Sequence, residues 1–308
     1  MTKIREFFSS RNNWEYLIGG AIFIVFSVML IYSASMRESD TTVNIANPQM
    51  YDAVMESLND PVITLEEAAN TKSLIIKEHK GLDDLSDLEE FTGLESLTIS
   101  TCTMDSLDGI ENFKHLKTLI VVSTALDASA VTDAGLTELK NLQLTGAHVD
   151  DPQRLIDNYP DLEILYLRDC SATGTITVKD MPNLTTLELR NDNVTEVVFK
   201  NLPNLKEVNF DRLMITDLEG ILDTDSIEKL VLTFTPIENI DGISRLENLT
   251  EIRLQGTTVS DVSELETMEG FHSIYLDKDF DRSKIEFLRD HFREGDIYTK
   301  IYFLGDLA

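Results

Sequence analysis

Apolar residues recur along most of the chain in one frame: a pair two residues apart, preceded three positions earlier by a third. The pairs are Leu74/Ile76, Leu97/Ile99, Leu119/Val121, Leu142/Leu144, Leu165/Leu167, Leu187/Leu189, Val208/Phe210, Leu230/Leu232, Ile252/Leu254 and Ile274/Leu276, in steps of 21 to 23 residues. The preceding residue is Leu94, Leu116, Leu139, Leu162, Leu184, Leu205, Ile227, Leu249 or Phe271, and the first copy departs with Thr71. Residues i and i+2 of a strand point to one face. Each pair therefore predicts a short strand whose apolar residues face inward while their neighbours face out. Inward residues between the pairs, such as Met104, Leu107, Ile215, Leu218, Ile237, Ile240, Val259 and Val262, supply the opposite wall of the core. Those return segments are too short for full helices, which predicts 3₁₀ turns or extended chain.

The frame L-x-x-L-x-L at a period near 22 is the leucine-rich repeat signature, in which no unit buries its own apolar face and each must stack on its neighbours. The fold class expected is α/β: a solenoid whose parallel strands line the concave side. At about 4.8 Å per strand, ten strands make an arc on the order of 45 Å long.

Before the repeats, Tyr16 to Ala34 is uncharged and strongly apolar, long enough at 1.5 Å per residue to cross about 30 Å of hydrocarbon. Trp14, Tyr16 and Tyr32 mark its edges. Lys3, Arg5 and Arg11 precede it, whereas Glu38 and Asp40 follow Arg37, so the positive-inside bias places the N-terminus in the cytoplasm and the repeats outside. Ser33-Ala34-Ser35 leaves a cleaved signal peptide as the competing reading. The expected organisation is a cytoplasmic tail (1–15), a transmembrane helix (16–34), a tether (35–46), an N-terminal helical cap (47–70), the repeats (71–278) and a C-terminal cap (279–308). In the first cap, Pro48 opens a helix carrying Met50, Ala53, Val54 and Leu58, and Thr64 with Glu67 forms a capping box. In the second, Ser283–Arg293 is an amphipathic helix by Ile285, Leu288 and Phe292, and 297–303 reads as a strand. The turns at Ser123–Leu136, His148–Tyr159 and Ser171–Met181 break the return-side pattern, predicting bulges and a short helix near Val131–Leu139.

The run from Asn47 through Leu97, with Ile63-Thr64-Leu65-Glu66-Glu67-Ala68, Gly81-Leu82-Asp83-Asp84-Leu85 and Phe91-Thr92-Gly93-Leu94-Glu95-Ser96-Leu97, resembles the cap and opening repeats of internalin-like bacterial leucine-rich repeat proteins. Ile215-Thr216-Asp217-Leu218 and Val259-Ser260-Asp261-Val262 resemble their convex-side motif. The likeness covers about residues 47–278 and implies an extracellular binding arc on a Gram-positive cell surface, with ligands held by the concave face. Two features depart from that family. Its usual Asn column reads His79, Cys102, Thr124, Ala147, Cys170, Asp192, Leu213, Thr235 and Thr257 here, and no sortase-type sorting signal follows the last repeat.

Charge narrows the partner. The formal net charge is -29, which repels polyphosphate and opposes nucleic-acid binding. Cys102 and Cys170 share one inward column three turns apart, about 14 Å, too far for a disulfide, and read as buried thiols. His79, His115, His148, His272 and His291 lack metal-ligand spacing, and no phosphate loop or nucleophile elbow appears. The cluster Asp83, Asp84, Asp87, Glu89 and Glu90 lacks the spacing of a calcium loop and reads as a solvated turn. No catalytic residue, metal or cofactor is indicated.

The outward strand positions are the expected ligand surface. Early turns present Ser, Thr and Ile; later turns present Tyr166, Arg168, Arg190, Asn209, Arg212, Phe234, Arg253 and Tyr275, an arginine and aromatic mixture typical of protein interfaces. The bland alternative is that these arginines merely neutralise acidic neighbours across strands. A tether of about a dozen residues reaches about 20 Å as a coil, which favours a protein partner near the membrane, in an envelope or secretion complex. The alternative is a surface adhesin or receptor for ligands on host or neighbouring cells. The sequence leaves oligomeric state open.

Overall fold

The computed structural model describes residues 41–122, 126–291 and 300–303. The expected tail, transmembrane helix and first part of the tether lie outside these residues, as do Thr124, Phe292 and the start of the last predicted strand. Among the described residues no helix is long and apolar enough to cross a membrane.

Among the described residues fifteen strands follow one another: β1 (Ser73–Lys77), β2 (Lys80–Leu82), β3 (Ser96–Ser100), β4 (Thr103–Met104), β5 (Thr118–Val122), β6 (Asn141–Thr145), β7 (Ile164–Arg168), β8 (Thr173–Lys179), β9 (Thr186–Arg190), β10 (Asn193–Lys200), β11 (Glu207–Asp211), β12 (Lys229–Val231), β13 (Glu251–Arg253), β14 (Ser273–Leu276) and β15 (Lys300–Phe303). Eleven of them form one parallel sheet, in the order β1-β3-β5-β6-β7-β9-β11-β12-β13-β14-β15. The register puts Leu74, Leu97, Leu119, Leu142, Leu165, Leu187, Val208, Leu230, Ile252 and Ile274 side by side in one row. All ten are fully buried. Burying each such side chain contributes roughly 1.5–3 kcal/mol before entropy is counted.

The return segments run as short 3₁₀ turns, among them Ser86–Leu88, Ile110–Asn112, Ile243–Arg245 and Ser263–Thr267, whose inward residues Leu88, Ile110, Ile243 and Leu265 close the far side of the same core. Two of the irregular turns differ from expectation. The helix expected near Val131–Leu139 is reduced to a 3₁₀ turn at Ser129–Asp133, which ends before Gly135, whose φ of 64° is left-handed and prevents continuation. The helix lies one turn later, at Pro152–Asn158, started by the Asp151 side chain accepting from the Arg154 amide. The Thr175-Ile176-Thr177-Val178 alternation belongs to β8, which pairs in parallel with β10 as a second, convex-side ribbon, with a register shift between Val194 and Glu196.

Helices α1 (Pro48–Leu58) and α2 (Leu65–Asn70) build the N-terminal cap. The Asn47 side chain accepts from the Gln49 and Met50 amides, and Thr64 and Glu67 form the capping box. The early acidic cluster is partly structural: Asp87 accepts from the Asn47 amide at 2.7 Å, and Asp83 accepts from its side chain at 3.1 Å. Residues 41–46, expected within the tether, are instead part of the cap. Thr42 forms an antiparallel bridge with Thr64, the Val43 amide donates to Ile63, and Ile45 is buried. At the other end, the 3₁₀ turn Arg282–Ile285 leads into helix Glu286–His291, burying Ile285 and Leu288, and β15 adds the eleventh strand beside β14.

In the column that lacks asparagine, the turns are satisfied by several chemistries. The single S–H of each buried thiol, Cys102 and Cys170, lies within reach of two carbonyls, at 3.3 and 3.5 Å and at 3.3 and 3.4 Å respectively. Hydroxyls of Thr235 and Thr257 donate to Leu232 and Leu254. Asp192 accepts from the Cys170 and Ala172 amides through Oδ1.

Candidate functional site

Because inward and outward residues alternate, the register that aligns the leucines also aligns the residues between them. One outward row runs Ile75, Thr98, Ile120, Gln143, Tyr166, Glu188, Asn209, Val231, Arg253, Tyr275, Tyr302. Beside it lie Lys77, Ser100, Val122, Thr145, Arg168, Arg190 and Asp211. The face has two chemistries. From β1 to β6 its outward residues are Ser, Thr, Asn, Gln, Ile and Val, with Lys77 the sole charge there. From β7 onward arginines, carboxylates and aromatics alternate.

The predicted residues fall into two groups. Tyr166, Asn209, Arg253 and Tyr275 lie in the central row and Arg168 and Arg190 in the row beside it. Arg212 and Phe234 are not on strands; they occupy the turns after β11 and β12. Arg190, Asn209, Phe234 and Arg253 line one depression of about 320 Å³. Glu188, Asp211 and Gln255 line it too. Gln255 was not legible as a site residue, although its place two residues after Arg253 continues the outward alternation.

Most of these arginines have internal partners. Arg168 Nε and Nη2 donate to Glu188 at 2.6 and 2.5 Å, a bidentate charge-assisted pair. That bond raises the pKa of Arg168. Arg190 Nε lies 2.8 Å from Asp211 Oδ2, off the N–H axis, so the contact is ionic without a directed hydrogen bond. Arg253 Nε donates to Glu251 at 2.9 Å. Three guanidinium carbons lie over aromatic rings: Arg168 over Tyr166 at 4.4 Å, Arg212 over Phe234 at 4.8 Å and Arg253 over Tyr275 at 4.3 Å. Tyr275 in turn stacks on Tyr302 with centroids 4.3 Å apart. Partial burial raises the pKa of Tyr166 and Tyr275, keeping both phenols neutral. The neutralising arrangement thus accounts for Arg168, Arg190 and Arg253. It leaves two buried acceptors in the depression, Asn209 Oδ1 and Gln255 Oε1, without a hydrogen-bond partner among the described residues.

No family model matches the chain. Among curated proteins, the leucine-rich repeat-containing G-protein coupled receptor 5 of Rattus norvegicus is 27% identical over 155 residues, 45% of this chain; the match spans 17% of the receptor's length. Two solved Listeria monocytogenes structures superpose on the repeats. InlP has a TM-score of 0.61 at 17% identity, covering 76% of this chain and 70% of that one. The functional domain of InlJ, which includes a cysteine ladder, has a TM-score of 0.58 at 17% identity, covering 83% and 59%. The fold is an internalin-like leucine-rich repeat solenoid. At these identities the likeness concerns the fold, and the chemistry of the concave face is this chain's own.

Proposed function

We propose that the solenoid is an extracytoplasmic protein-binding module, anchored by the apolar run at 16–34 with its N-terminus in the cytoplasm, and that the concave face from β7 to β14 holds a protein partner close to the membrane. The observation that carries the binding role is the charge of the face. Over its first ten strands the outward positions hold Lys77, Arg168, Arg190, Lys229 and Arg253 against Glu188, Glu207, Asp211 and Glu251, close to neutrality in a chain of net charge -29. Interfaces are enriched in Arg and Tyr, and a surface serving only solubility would follow the acidic excess of the rest of the chain. The chemistry offered is recognition; the role assigned is binding rather than catalysis.

The membrane-proximal position rests on length. With residues 41–46 tied to the cap, six residues separate Ala34 from Thr41, at most about 20 Å fully extended. A partner in the same envelope assembly suits that reach better than a ligand on another cell. Affinity purification of the full chain from its native membranes, with the Asn209→Arg variant as control and mass spectrometry as readout, tests the reading. One envelope protein retained by the parent chain and lost with the variant is the expected result. An identical set of proteins from both overturns it.

A further inference from the structure

Five arginines among the described residues are claimed by carboxylates. Among the described residues Arg154 contacts Asp133, Arg168 contacts Glu188, Arg190 contacts Asp211, Arg245 contacts Glu219 and Asp223, and Arg253 contacts Glu251. Arg212 makes no ion pair among the described residues. It is exposed, in a chain where 55 acidic residues outnumber 26 basic ones. A guanidinium without a carboxylate is not what that composition produces by default.

The backbone supplies a second, independent observation. Eight of the turns that leave the concave strands pass through the left-handed region: Glu78, Thr101, Gly146, Asp169, Asn191, Arg212, Phe234 and Gly256 all have positive φ. Gly, Asn and Asp suit that conformation, and most other residues pay of order 1 kcal/mol or more there. Arg212 (φ 58°) and Phe234 (φ 56°) occupy consecutive places in this column. Strain of this kind collects at ligand contacts. The next place, Gly256, completes the arrangement. A Cβ added there would lie 2.4 Å from Phe234 Cδ1, so the ring rests against the glycine while the Arg212 guanidinium carbon lies 4.8 Å from its centroid. Phe234 also walls the depression that holds Arg190, Arg253 and the two unpartnered acceptors.

We propose that Arg212, held over Phe234, is the receptor for a carboxylate of the partner protein: an Asp or Glu side chain next to an apolar residue that seats against Phe234 at the mouth of the depression. The planar fork of a guanidinium matches a carboxylate bidentately, and its stacking on the ring pre-orders it. A lysine could supply the charge but neither the plane nor the fork. This inference rests on the concave-face reading and adds the chemistry of what that face reads.

The test is selection of a random dodecapeptide display library on the full chain in detergent. Enriched peptides carry Asp or Glu beside an aromatic or aliphatic residue. Replacing that acid by its amide, or Arg212→Ala in the protein, weakens binding by roughly tenfold or more, Arg212→Lys by nearly as much, and the combined change costs little beyond either alone. An unchanged thermal midpoint for Arg212→Ala shows that the loss is not unfolding. Enriched peptides without an acid, failure to enrich any peptide, or full binding by Arg212→Ala each overturn the proposal. The Asn209→Arg variant separates the two readings: binding lost with it but kept with Arg212→Ala removes the carboxylate inference alone, and binding kept with both removes the concave face as well.

Discussion

Arg212 and Phe234 stand one repeat apart in the same left-handed turn position, the guanidinium carbon 4.8 Å from the ring centroid. The fold does not require either side chain there. Four of the equivalent turns are served by Gly146, Asp169, Asn191 and Gly256, residues that tolerate positive φ at lower cost, while Glu78 and Thr101 occupy two earlier ones.

Replacing Arg212 by Asn, which adopts positive φ readily, is therefore expected to leave the thermal midpoint unchanged or to raise stability by up to about 1 kcal/mol, because backbone relief offsets the lost ring contact. Calorimetry of the parent and variant reads this directly. A loss above about 1 kcal/mol would mean that the pair is structural.

Arg168 should behave in the opposite way. Its guanidinium is bonded twice to Glu188, which is 8% exposed, so Arg168→Ala strands a buried carboxylate. A stability loss of about 1–3 kcal/mol follows, and Glu188→Gln in the Arg168→Ala background should restore part of it. A double-mutant cycle by urea denaturation measures the coupling; coupling near zero contradicts the assignment.

Asp192 makes stability depend on pH. Burial lifts its pKa from 3.8 to about 6, against the pull of the Ala172 and Cys170 amides, and Oδ2 has no hydrogen-bond partner among the described residues. The folded form then binds a proton more tightly than the unfolded form between about pH 4 and pH 6. By linkage, stability from this group is greatest below the unfolded value, falls as pH rises through that window and levels off above it. Asp192→Asn keeps the Oδ1 acceptor and adds a donor of the kind that the Cys102 and Cys170 thiols provide in the same column. At pH 7 the variant is expected to be as stable as the parent or more so, by on the order of 1 kcal/mol, and its advantage should shrink at pH 4. Urea midpoints at the two pH values decide it, and a variant less stable at pH 7 refutes the account.

The row of leucines sets the stability of the whole solenoid. Leu165 is fully buried between Leu142 and Leu187, so Leu165→Ala should cost 2–5 kcal/mol by lost burial and the cavity left behind. Because neighbouring turns hold each other, amide protection measured by hydrogen exchange should fall in β6, β7 and β9 together. Loss confined to β7 would argue that the turns do not share one core.

How much of this was legible depends on range. The spacing of two within a strand and the period near 22 are properties of short windows and of their repetition, so the sheet, its register and the burial of every Leu-x-Leu pair could be read without coordinates. The cap helices were legible for the same reason, through Pro48 and the Thr64/Glu67 capping box. The helix at Pro152–Asn158 carries a readable Asp-Pro start, whereas the helix expected near Val131–Leu139 is cut short by Gly135. The convex β8–β10 ribbon depends on two alternating segments about twenty residues apart finding each other, which neither shows alone. The site follows the same division. That Tyr166, Arg168, Arg190, Arg253 and Tyr275 face outward was fixed by alternation. Which arginine is neutralised was not, since the Arg168–Glu188 bond spans twenty residues and the isolation of Arg212 depends on a turn conformation that neither Arg nor Phe announces.

The measurement that bears most directly on the central claim is site-specific photocrosslinking in the native membrane, with a benzophenone side chain placed at Gln143, Asn209 or Val231 on the concave face and at Glu196 or Glu219 on the convex face. The account predicts one covalent adduct with a single protein from Asn209 and Val231, absent from Glu196 and Glu219. The same adduct from the convex positions, with none from the concave ones, would contradict it.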